Sequence, residues 1–448
     1  MSAVAAGGVL APGRRSLVLG IVLSVLLIGF ESLAVATVLP QAARALGGLG
    51  LYGWSFSAFF LGFMVSTVAL GAWADHSGPT RPYLAAVLTF GAGLLLAGLS
   101  HSMAAFILGR AVQGFGGGAL IAVAYLAVNR SFPDELRSRV LALMSGAWVL
   151  PGLLGPLAAS ALAAATSWRG VFLGLLPLLL LAAGLTLPAL RRLPAPGTPV
   201  RVSRLLAVAV TAAGVTLLLS ALSRPELLPR LGLGAAGAAL ALPALRRLYG
   251  PSAWRLRTPL HSGFALRLLL TFGFFGAESL LPLSLQTLRG QSLWQSGLAL
   301  TWATLGWTLG SFLNSRLDER FSGGRRHLSA GLGALLVGLS LGLCDLLLHS
   351  ALPAWTVSLS WALGGLGMGF AFQSHTLVVL QNAPAGQEGL TSGNLQLSDM
   401  LGSALGAGLG GALVASQGVG AGSAWSLGGA SAAVLLAALV ARGLRGPI

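Results

Sequence analysis

Long apolar runs separated by short polar stretches cover most of the chain. Most runs hold about 20 residues, the length that a helix needs to cross the ~30 Å hydrocarbon layer of a bilayer. Lipid offers the backbone no hydrogen-bond partner, so such runs must be helical. The pattern therefore predicts an all-α polytopic membrane protein. The predicted spans are residues 16–40, 52–74, 82–100, 103–129, 139–163, 170–190, 204–222, 231–246, 263–288, 295–316, 328–349, 354–381, 391–416 and 424–441.

The spans form two groups of six with a central pair between them. Polar stretches, "RRLPAPGTPVRVSR" at 191–204 and "RRLYGPSAWRLRTPLHSG" at 246–263, flank that pair. We predict an N-terminal six-helix bundle (residues 1–195), an inserted helix pair with its linkers (196–258) and a C-terminal six-helix bundle (259–448). The span 231–246 is short and contains Pro243. If it and its neighbour do not cross, twelve transmembrane helices remain instead of fourteen.

Composition and charge agree with a membrane protein. Of the 448 residues 55% are hydrophobic and 8% charged, whereas soluble domains carry roughly 25% charged residues. The net charge of +16 comes from 27 basic residues, all of them arginine. With the N-terminus inside, most of these arginines fall on the cytoplasmic side, as the positive-inside rule requires. Basic loops there face anionic lipid headgroups, so we expect no nucleic acid partner. The same distribution of arginines predicts that both termini lie in the cytoplasm. The exceptions are Arg110, within a span, and Arg44, Arg169, Arg224, Arg230 and Arg289, outside.

Several remaining features limit the class of protein. Arginine without lysine, together with abundant Ala, Gly and Leu, suggests a GC-rich bacterial genome and so the bacterial cytoplasmic (inner) membrane. The first run is too long for a signal-peptide core and leads directly into further spans, so we interpret it as the first helix. Cys344 is the single cysteine, which excludes an intramolecular disulfide. The sequence shows no nucleotide-binding loop, metal-ligand cluster or catalytic triad. We expect no enzyme activity and no cofactor, with an ion gradient as the energy source.

The two groups of six spans share short sequences. "GFESL" at 29–33 recurs as "GAESL" at 276–280, and "ADHSGPTR" at 74–81 is similar to "DERFSGGRR" at 318–326. The glycines of "QGFGGGAL" at 113–120 correspond to those of "GGLGMGFA" at 364–371. The spacing between members is nearly constant, which indicates an internal repeat of two related bundles.

Four motifs resemble those of the major facilitator superfamily. "GAWADHSGPTR" is similar to the loop signature G-x-x-x-D-R-x-G-R-[RK], although His76, Pro79 and Thr80 stand where the family has basic residues. "LGRAVQGFGGG" is similar to R-x-x-Q-G, and "ESLAVATVLP" resembles D-x-T-x-x-x-x-A-L-P with Glu for Asp. "VLPGLLGP" resembles the antiporter motif of helix five, with Pro151 in place of its first glycine. The matched residues are Gly71, Asp75, Gly78 and Arg81 in the loop, Arg110, Gln113 and Gly114 in helix four, and Gly155 and Pro156 in helix five. Pro151 and Gly152 belong to the same motif-bearing stretch of helix five.

The resemblance implies two pseudo-symmetric six-helix bundles that alternate access to a site near the midplane. Within the superfamily, the motifs resemble in particular those of the fourteen-span drug:proton antiporters. This resemblance implies a monomer in contact with membrane lipids that exports a small amphiphilic substrate, a drug or toxic metabolite, in exchange for protons. A lipid or glycolipid exporter or flippase, a proton-coupled metabolite symporter and a receptor that has lost transport remain alternatives.

Glu31 is an acid within an apolar run. A charge at the bilayer centre costs ~2.5–3.5 kcal/mol on insertion scales, so it normally faces a bundle interior or a water-filled cavity. Glu31 lies about 13 Å inward from Pro40 and Arg110 about 10 Å into its helix, at ~1.5 Å per residue. We predict that the two are within reach of an ion pair or a bridging water. Either Glu31 binds protons or a cationic substrate, or the pair only holds helices one and four together.

Three further acids fall within predicted spans. Glu278 is the repeat counterpart of Glu31 and is a second candidate for proton or substrate binding. Asp345 is close enough to the outer end of its helix to reach water. Asp399 could pair with a loop arginine near an inner gate.

The resemblance gives Asp75 a gating role at the inner end of helix two. We expect it to bind a helix N-terminus or a nearby arginine such as Arg130 or Arg139, which would hold the cytoplasmic side closed. The alternative is a solvated loop acid.

The remaining candidates are aromatic and polar side chains that could line a binding cavity, or else pack in the core or face lipid. The glycines of helix four, like Gly402, Gly406 and Gly410, are predicted to pack helices closely, because small residues allow backbones to approach. The cavity candidates are Gln113, Tyr125, Trp148, Phe275, Trp302, Trp361, Gln373, His375, Asn394 and Asp399.

Overall fold

The structure is a computed structural model that describes residues 8–11, 14–195, 197, 199–250, 256, 258–321 and 324–445. These residues are helical with connecting turns, and none of them forms a strand. The helices are α1 (Arg15–Ala45), α2 (Trp54–Ser77), α3 (Thr80–Gly98), α4 (Met103–Ser131), α5 (Asp134–Gly146), α6 (Val149–Ala165), α7 (Trp168–Leu173), α8 (Leu175–Leu190), α9 (Val202–Leu222), α10 (Leu227–Tyr249), α11 (Pro259–Leu288), α12 (Leu293–Arg320), α13 (Arg326–Leu348), α14 (Trp355–Gln381) and α15 (Glu388–Val440).

Every predicted span coincides with helical residues. The fifth and sixth spans are each interrupted once, between α5 and α6 and between α7 and α8. The last two predicted spans both lie in α15, where Gly418 breaks the helix with φ +78°. The weakest predicted span, 231–246, is the core of the 23-residue α10. The predicted all-α membrane fold is therefore confirmed.

Twelve helical segments of the described chain are long and apolar enough to cross a membrane by length and composition. Both helices of the central pair, α9 and α10, are among them. Helix α15 counts once although it covers two predicted spans, and the more polar α12 is not included. Arg255 and Arg257, two of the arginines that we place on the cytoplasmic side, lie outside the described residues.

Backbone contacts divide the chain into two compact units. The first unit contains the described residues of Met1–Val38 and Gly62–Leu205, and the second those of Leu39–Leu61 and Leu206–Ile448. In the second unit α11, α13, α14 and α15 share an apolar core around Leu270, Val337 and Trp361. The connection from α1 to α2 also belongs to it, since the Tyr52 hydroxyl donates to the carbonyl oxygen of Ser279 at 2.9 Å.

Glycines set the distance between several helices, as predicted. In the first unit a methyl group on Gly116 would lie 2.3 Å from the backbone nitrogen of Phe90, so α4 meets α3 backbone to backbone. In the second unit a methyl on Gly406 would lie 2.1 Å from the carbonyl oxygen of Phe272. A methyl on Gly402 would lie 2.3 Å from the carbonyl oxygen of Leu268, so α11 and α15 are neighbours in direct contact. Small residues allow this because lipid supplies no hydrophobic force between helices, and association relies on close packing.

The central pair packs on itself and on α15. A methyl on Gly237 would lie 2.7 Å from the carbonyl oxygen of Gly214, so α10 and α9 are in close contact. The Tyr249 hydroxyl at the end of α10 lies 2.9 Å from the Ser398 hydroxyl. The Asn394 amide donates to the carbonyl oxygen of Leu248 at 3.2 Å. Helix α10 is thereby fixed to α15 by polar contacts.

Candidate functional site

A buried ion pair joins α1 to α4 in the first unit. One guanidinium nitrogen of Arg110, Nη1, donates to Glu31 Oε1 and also to Gln113 Oε1, the latter at 2.7 Å. Glu31 is 0% exposed and Arg110 2% exposed. The predicted contact between Glu31 and Arg110 is confirmed.

The local sequence explains how these side chains meet. Arg110 and Gln113 are three residues apart, so they share one face of α4. Gly93 allows α3 to pass directly against Gln113, since a methyl there would lie 2.3 Å from its backbone nitrogen. Gly29, two residues before Glu31, leaves room on α1 for the side chains of Trp148 and Pro151. Helix α3 therefore packs closely beside Gln113, and the side chains of Trp148 and Pro151 pack beside the Glu31 segment of α1.

The hydrogen bonding of this ion pair is incomplete. Glu31 Oε2 and Gln113 Nε2 are both buried, and neither has a hydrogen-bond partner among the described residues. Buried polar atoms are normally satisfied, and the exceptions call for a functional explanation or a bound water. An apolar environment favours the protonated form of a carboxyl group, whereas a neighbouring arginine favours the charged form. Both influences act on Glu31, because it is buried and lies beside Arg110.

The helix-five motif packs against the same stretch of α1. Pro151, Gly152, Gly155 and Pro156 are all buried in α6. A methyl on Gly155 would lie 3.6 Å from the Cβ atom of Leu33, an ordinary contact. Pro156 removes one backbone donor from the helix. The motif thus lies one turn or less from Glu31 along α1.

Asp75 forms an ion pair at the end of α2. Its Oδ1 accepts from Nη2 of Arg130 at 2.9 Å, and the carboxylate side chain is 48% exposed. Of the two arginines that we considered, Arg130 is the partner, while Arg139 is exposed on α5. Gly78 turns the chain into α3 with φ +86°, a conformation that favours glycine. Two other residues matched in this loop do not take part in the ion pair. Gly71 lies beside Ala122, and Arg81 is exposed.

The second unit contains a buried arginine whose importance the sequence did not reveal. Arg267 lies in α11, and its Nη1 is 3.4 Å from Asp399 Oδ2 on α15. Our expectation of a loop arginine for Asp399 is wrong, because Arg267 is a buried residue within the helix. A lone charge in "GFALRLLLTF" is the same signal that identified Glu31. We placed Arg267 on the cytoplasmic side by sequence position and did not consider it as an intramembrane charge.

Glu278 also lies in α11 and is buried, with 9% of its surface exposed. Within the described part of the chain it has neither an ion pair nor a side-chain hydrogen bond. Asp345 is partly exposed near the end of α13, with its Oδ1 3.5 Å from His349 Nδ1. Among the described residues of this unit, Glu278 is thus a buried acid without a charged partner, whereas Asp345 lies near the end of α13 and is partly exposed.

The cavity candidates differ in exposure within their own units. Trp361 is a core residue that stacks on Phe274 with ring centroids 4.6 Å apart. Phe275 is partly buried and packs against the apolar core that contains Trp361. His375 and Asn394 are buried and hydrogen-bonded. The four exposed candidates are Tyr125, Trp148, Trp302 and Gln373.

The sequence profile of the Major Facilitator Superfamily matches residues 21–341, most of the chain and all of the first unit's site. The chain belongs to the major facilitator superfamily. Several members resemble this major facilitator over nearly its whole length. An uncharacterized MFS-type transporter of Mycobacterium tuberculosis is 28% identical over 433 residues, which are 92% of this chain and 61% of that protein. The chain thus spans about three fifths of the length of that relative.

Two further relatives are similar over most of both chains. The transporter YebQ of Escherichia coli is 30% identical over 430 residues, 91% of each chain. The tetracenomycin C resistance and export protein of Streptomyces glaucescens is 28% identical over 416 residues, 89% of this chain and 76% of that one.

Solved structures agree on the fold of this major facilitator. A bacterial homologue of the human lysosomal transporter Spinster superposes with a TM-score of 0.69 at 15% identity, covering 96% of both chains. A D-xylose-proton symporter superposes with a TM-score of 0.67 at 16% identity, covering 95% of this chain and 97% of the other. The major facilitator fold predicted from the motifs is confirmed.

Proposed function

We propose that this major facilitator is a proton-coupled secondary transporter that exports amphiphilic drugs or toxic metabolites by alternating access. The observation that carries the proposal is the buried Glu31, held by Arg110 through one oxygen while Oε2 lacks a partner among the described residues. Two relatives support the direction and substrate class. They are the tetracenomycin C exporter and Multidrug resistance protein 3 of Bacillus subtilis, the latter 29% identical over 158 residues.

The exchange follows from competition for one carboxyl group. Charged Glu31 attracts Arg110 or a cationic substrate, whereas protonated Glu31 attracts neither. A proton that arrives from one side therefore releases the substrate, and loss of the proton on the other side restores the charge. The orphan oxygen Oε2 is the atom that is free to take the proton. Glu278 is a second acid for substrate or proton in this scheme, because no basic group in the described chain neutralises it.

Asp75 and Arg130 are proposed to latch the cytoplasmic end of the first unit. Their contact joins the last turn of α2 to the last turn of α4. A half-exposed ion pair contributes only ~0–1 kcal/mol, which suits a latch that must open in every cycle. The orientation with both termini in the cytoplasm of a bacterial inner membrane belongs to the same proposal.

The test is transport into proteoliposomes with an imposed pH gradient, with a cationic dye, a neutral drug and a labelled phospholipid as substrates. We expect the wild type to move the dye against its gradient. Glu31→Gln should lower that rate at least about tenfold, equivalent to ~1.4 kcal/mol. Glu319→Gln, the same substitution at an exposed acid on α12, is the matched control and should transport normally.

Three outcomes would contradict the proposal. Unchanged gradient-driven transport in Glu31→Gln would remove Glu31 from the coupling mechanism. Movement of the phospholipid alone, without dependence on the pH gradient, would support the lipid exporter. Accumulation of substrate in the direction of proton flow would indicate a symporter.

A further inference from the structure

Each unit of the protein contains one buried carboxylate that is paired with a buried arginine. In the first unit these are Glu31 and Arg110, and in the second Asp399 and Arg267. In both, the arginine contacts one carboxylate oxygen. The other oxygen, Glu31 Oε2 or Asp399 Oδ1, is buried without a hydrogen-bond partner among the described residues. The second carboxylate has no role in the exchange scheme built on Glu31.

Arg267 is held in place by groups other than Asp399. Its Nε donates to His375 Nε2 at 2.8 Å, and its Nη2 donates to the Thr376 hydroxyl. The guanidinium carbon lies 3.5 Å from the centre of the Phe372 ring, a cation–π contact. The contact with Asp399 is longer, 3.4 Å, and uses one oxygen. Neutralising Asp399 would therefore leave the arginine anchored.

His375 is not the proton acceptor of this cluster. Because its Nε2 accepts a hydrogen bond from Arg267, the ring proton must lie on Nδ1, which donates to the carbonyl oxygen of Ala371 at 2.6 Å. The imidazole is thus neutral with both nitrogens engaged. A second proton would place a cation beside the guanidinium and break their hydrogen bond. Any proton taken up here goes to the carboxylate.

Among the described residues, Arg267 is the one charged side chain found to act on Asp399. It belongs to α11, and neutral His375 on α14 lies behind it. Helix α10 contributes the Tyr249 hydroxyl, which is bonded to Ser398 beside Asp399. The Asp399 side chain keeps 12% of its surface exposed, compared with 5% for Arg267, although Oδ1 itself is buried, so water lies within one side-chain length of the carboxylate.

We propose that Asp399 is a second proton-binding site, located in the second unit and gated by Arg267. A proton from water adds to Oδ1 of the carboxylate to give the neutral acid, and its return to water restores the ion pair, with no other bond made or broken. For the role of Asp399 in transport this inference rests on the proposed function. Proton binding itself does not depend on it.

Infrared spectroscopy of the purified full-length protein tests proton binding without transport. Samples with ¹³C-labelled aspartate are titrated with acid and base, and the carbonyl band of protonated aspartate is followed. All five labelled aspartates contribute to this band, and we expect one of its components in the wild type to be absent in Asp399→Asn. Asp75→Asn, at the half-exposed acid of α2, is the matched control and should retain that component.

A second variant keeps the test decisive if Asp399→Asn does not fold. Asp399→Glu retains a carboxyl group at this position, but on an unlabelled glutamate. The component that is assigned to Asp399 should therefore move to the frequency of an unlabelled carboxyl group. An aspartate band that is unchanged in both variants would overturn the proposal.

The transport consequence is a change in stoichiometry. We measure the substrate gradient that just balances an imposed pH gradient in proteoliposomes. Asp399→Asn is expected to lower the number of protons exchanged per substrate by one while transport continues. An unchanged ratio would show that Asp399 is not part of the cycle. If the wild type shows no gradient-driven transport, the proposed function fails, and the infrared result for Asp399 still stands.

Discussion

At the scale of single residues, the determining feature is a charge that cannot be hydrated. Glu31 and Arg110 were both recognisable in the sequence, because each interrupts an apolar run and the two lie in the same half of their helices. The same rule applied to basic residues would have identified Arg267. It could not have identified the partner of Asp399, because helix depth gives no information on which faces of α11 and α15 meet.

Glu31 and Arg110 are predicted to stabilise each other. Removal of one partner from a buried ion pair leaves an uncompensated charge and costs roughly 3–5 kcal/mol, whereas removal of both can be nearly neutral. We expect Arg110→Gln to lower the unfolding temperature in detergent more than Glu31→Gln/Arg110→Gln does. A double-mutant cycle on thermal unfolding measures the coupling. Additive effects would show that the two side chains do not interact.

At the scale of helices, the existence of the helical segments was predictable, as was the break in α15 at Gly418 between two predicted spans, whereas the interruptions within the fifth and sixth spans were not. Span length and apolarity specify a membrane helix almost without reference to the rest of the chain. The break between α5 and α6 at Ala147 and Trp148 depends on packing that one sequence does not display. Helix contacts were predicted where glycines repeat every four residues, as at Gly402 and Gly406.

The contact between α11 and α15 is predicted to depend on Gly406. A leucine there would enter the backbone of Phe272, whose carbonyl oxygen would lie 2.1 Å from the new Cβ atom. Overpacking of this kind typically costs 1–3 kcal/mol. Gly406→Leu should therefore reduce the folded yield and lower the unfolding temperature. Gly429→Leu, in the same helix with nothing within 4 Å, is the control. Equal stability of the two variants would contradict the packing argument.

At the scale of the whole molecule, family membership and the uneven distribution of arginine reinforce each other. The superfamily match covers residues 21–341, while the arginines predict which ends of the helices meet the cytoplasm. Fold could be predicted from sequence because motifs, repeat and hydropathy all indicated the same architecture. The substrate could not be predicted, because few of the residues that determine it lie close together in the chain.

The orientation is predicted to place Glu226 outside and Glu319 inside. In a Cys344→Ser background, which removes the buried single thiol, each acid is replaced by cysteine in turn. A membrane-impermeant thiol reagent applied to intact cells should label Glu226→Cys and should label Glu319→Cys only after the cells are opened. The reverse pattern would invert the topology.

The attachment of α10 to α15 also has a consequence for how the chain is made. Leu248 and Asn394 are separated by 146 positions, so the ribosome completes α10 long before its polar partner exists. During that interval α15 is not yet available to the carbonyl oxygen of Leu248 and the hydroxyl group of Tyr249. The contact of α10 with α9 at Gly214 and Gly237 is complete as soon as both helices have been inserted. The central pair can therefore pack before α15 has been made, and α15 then docks against it.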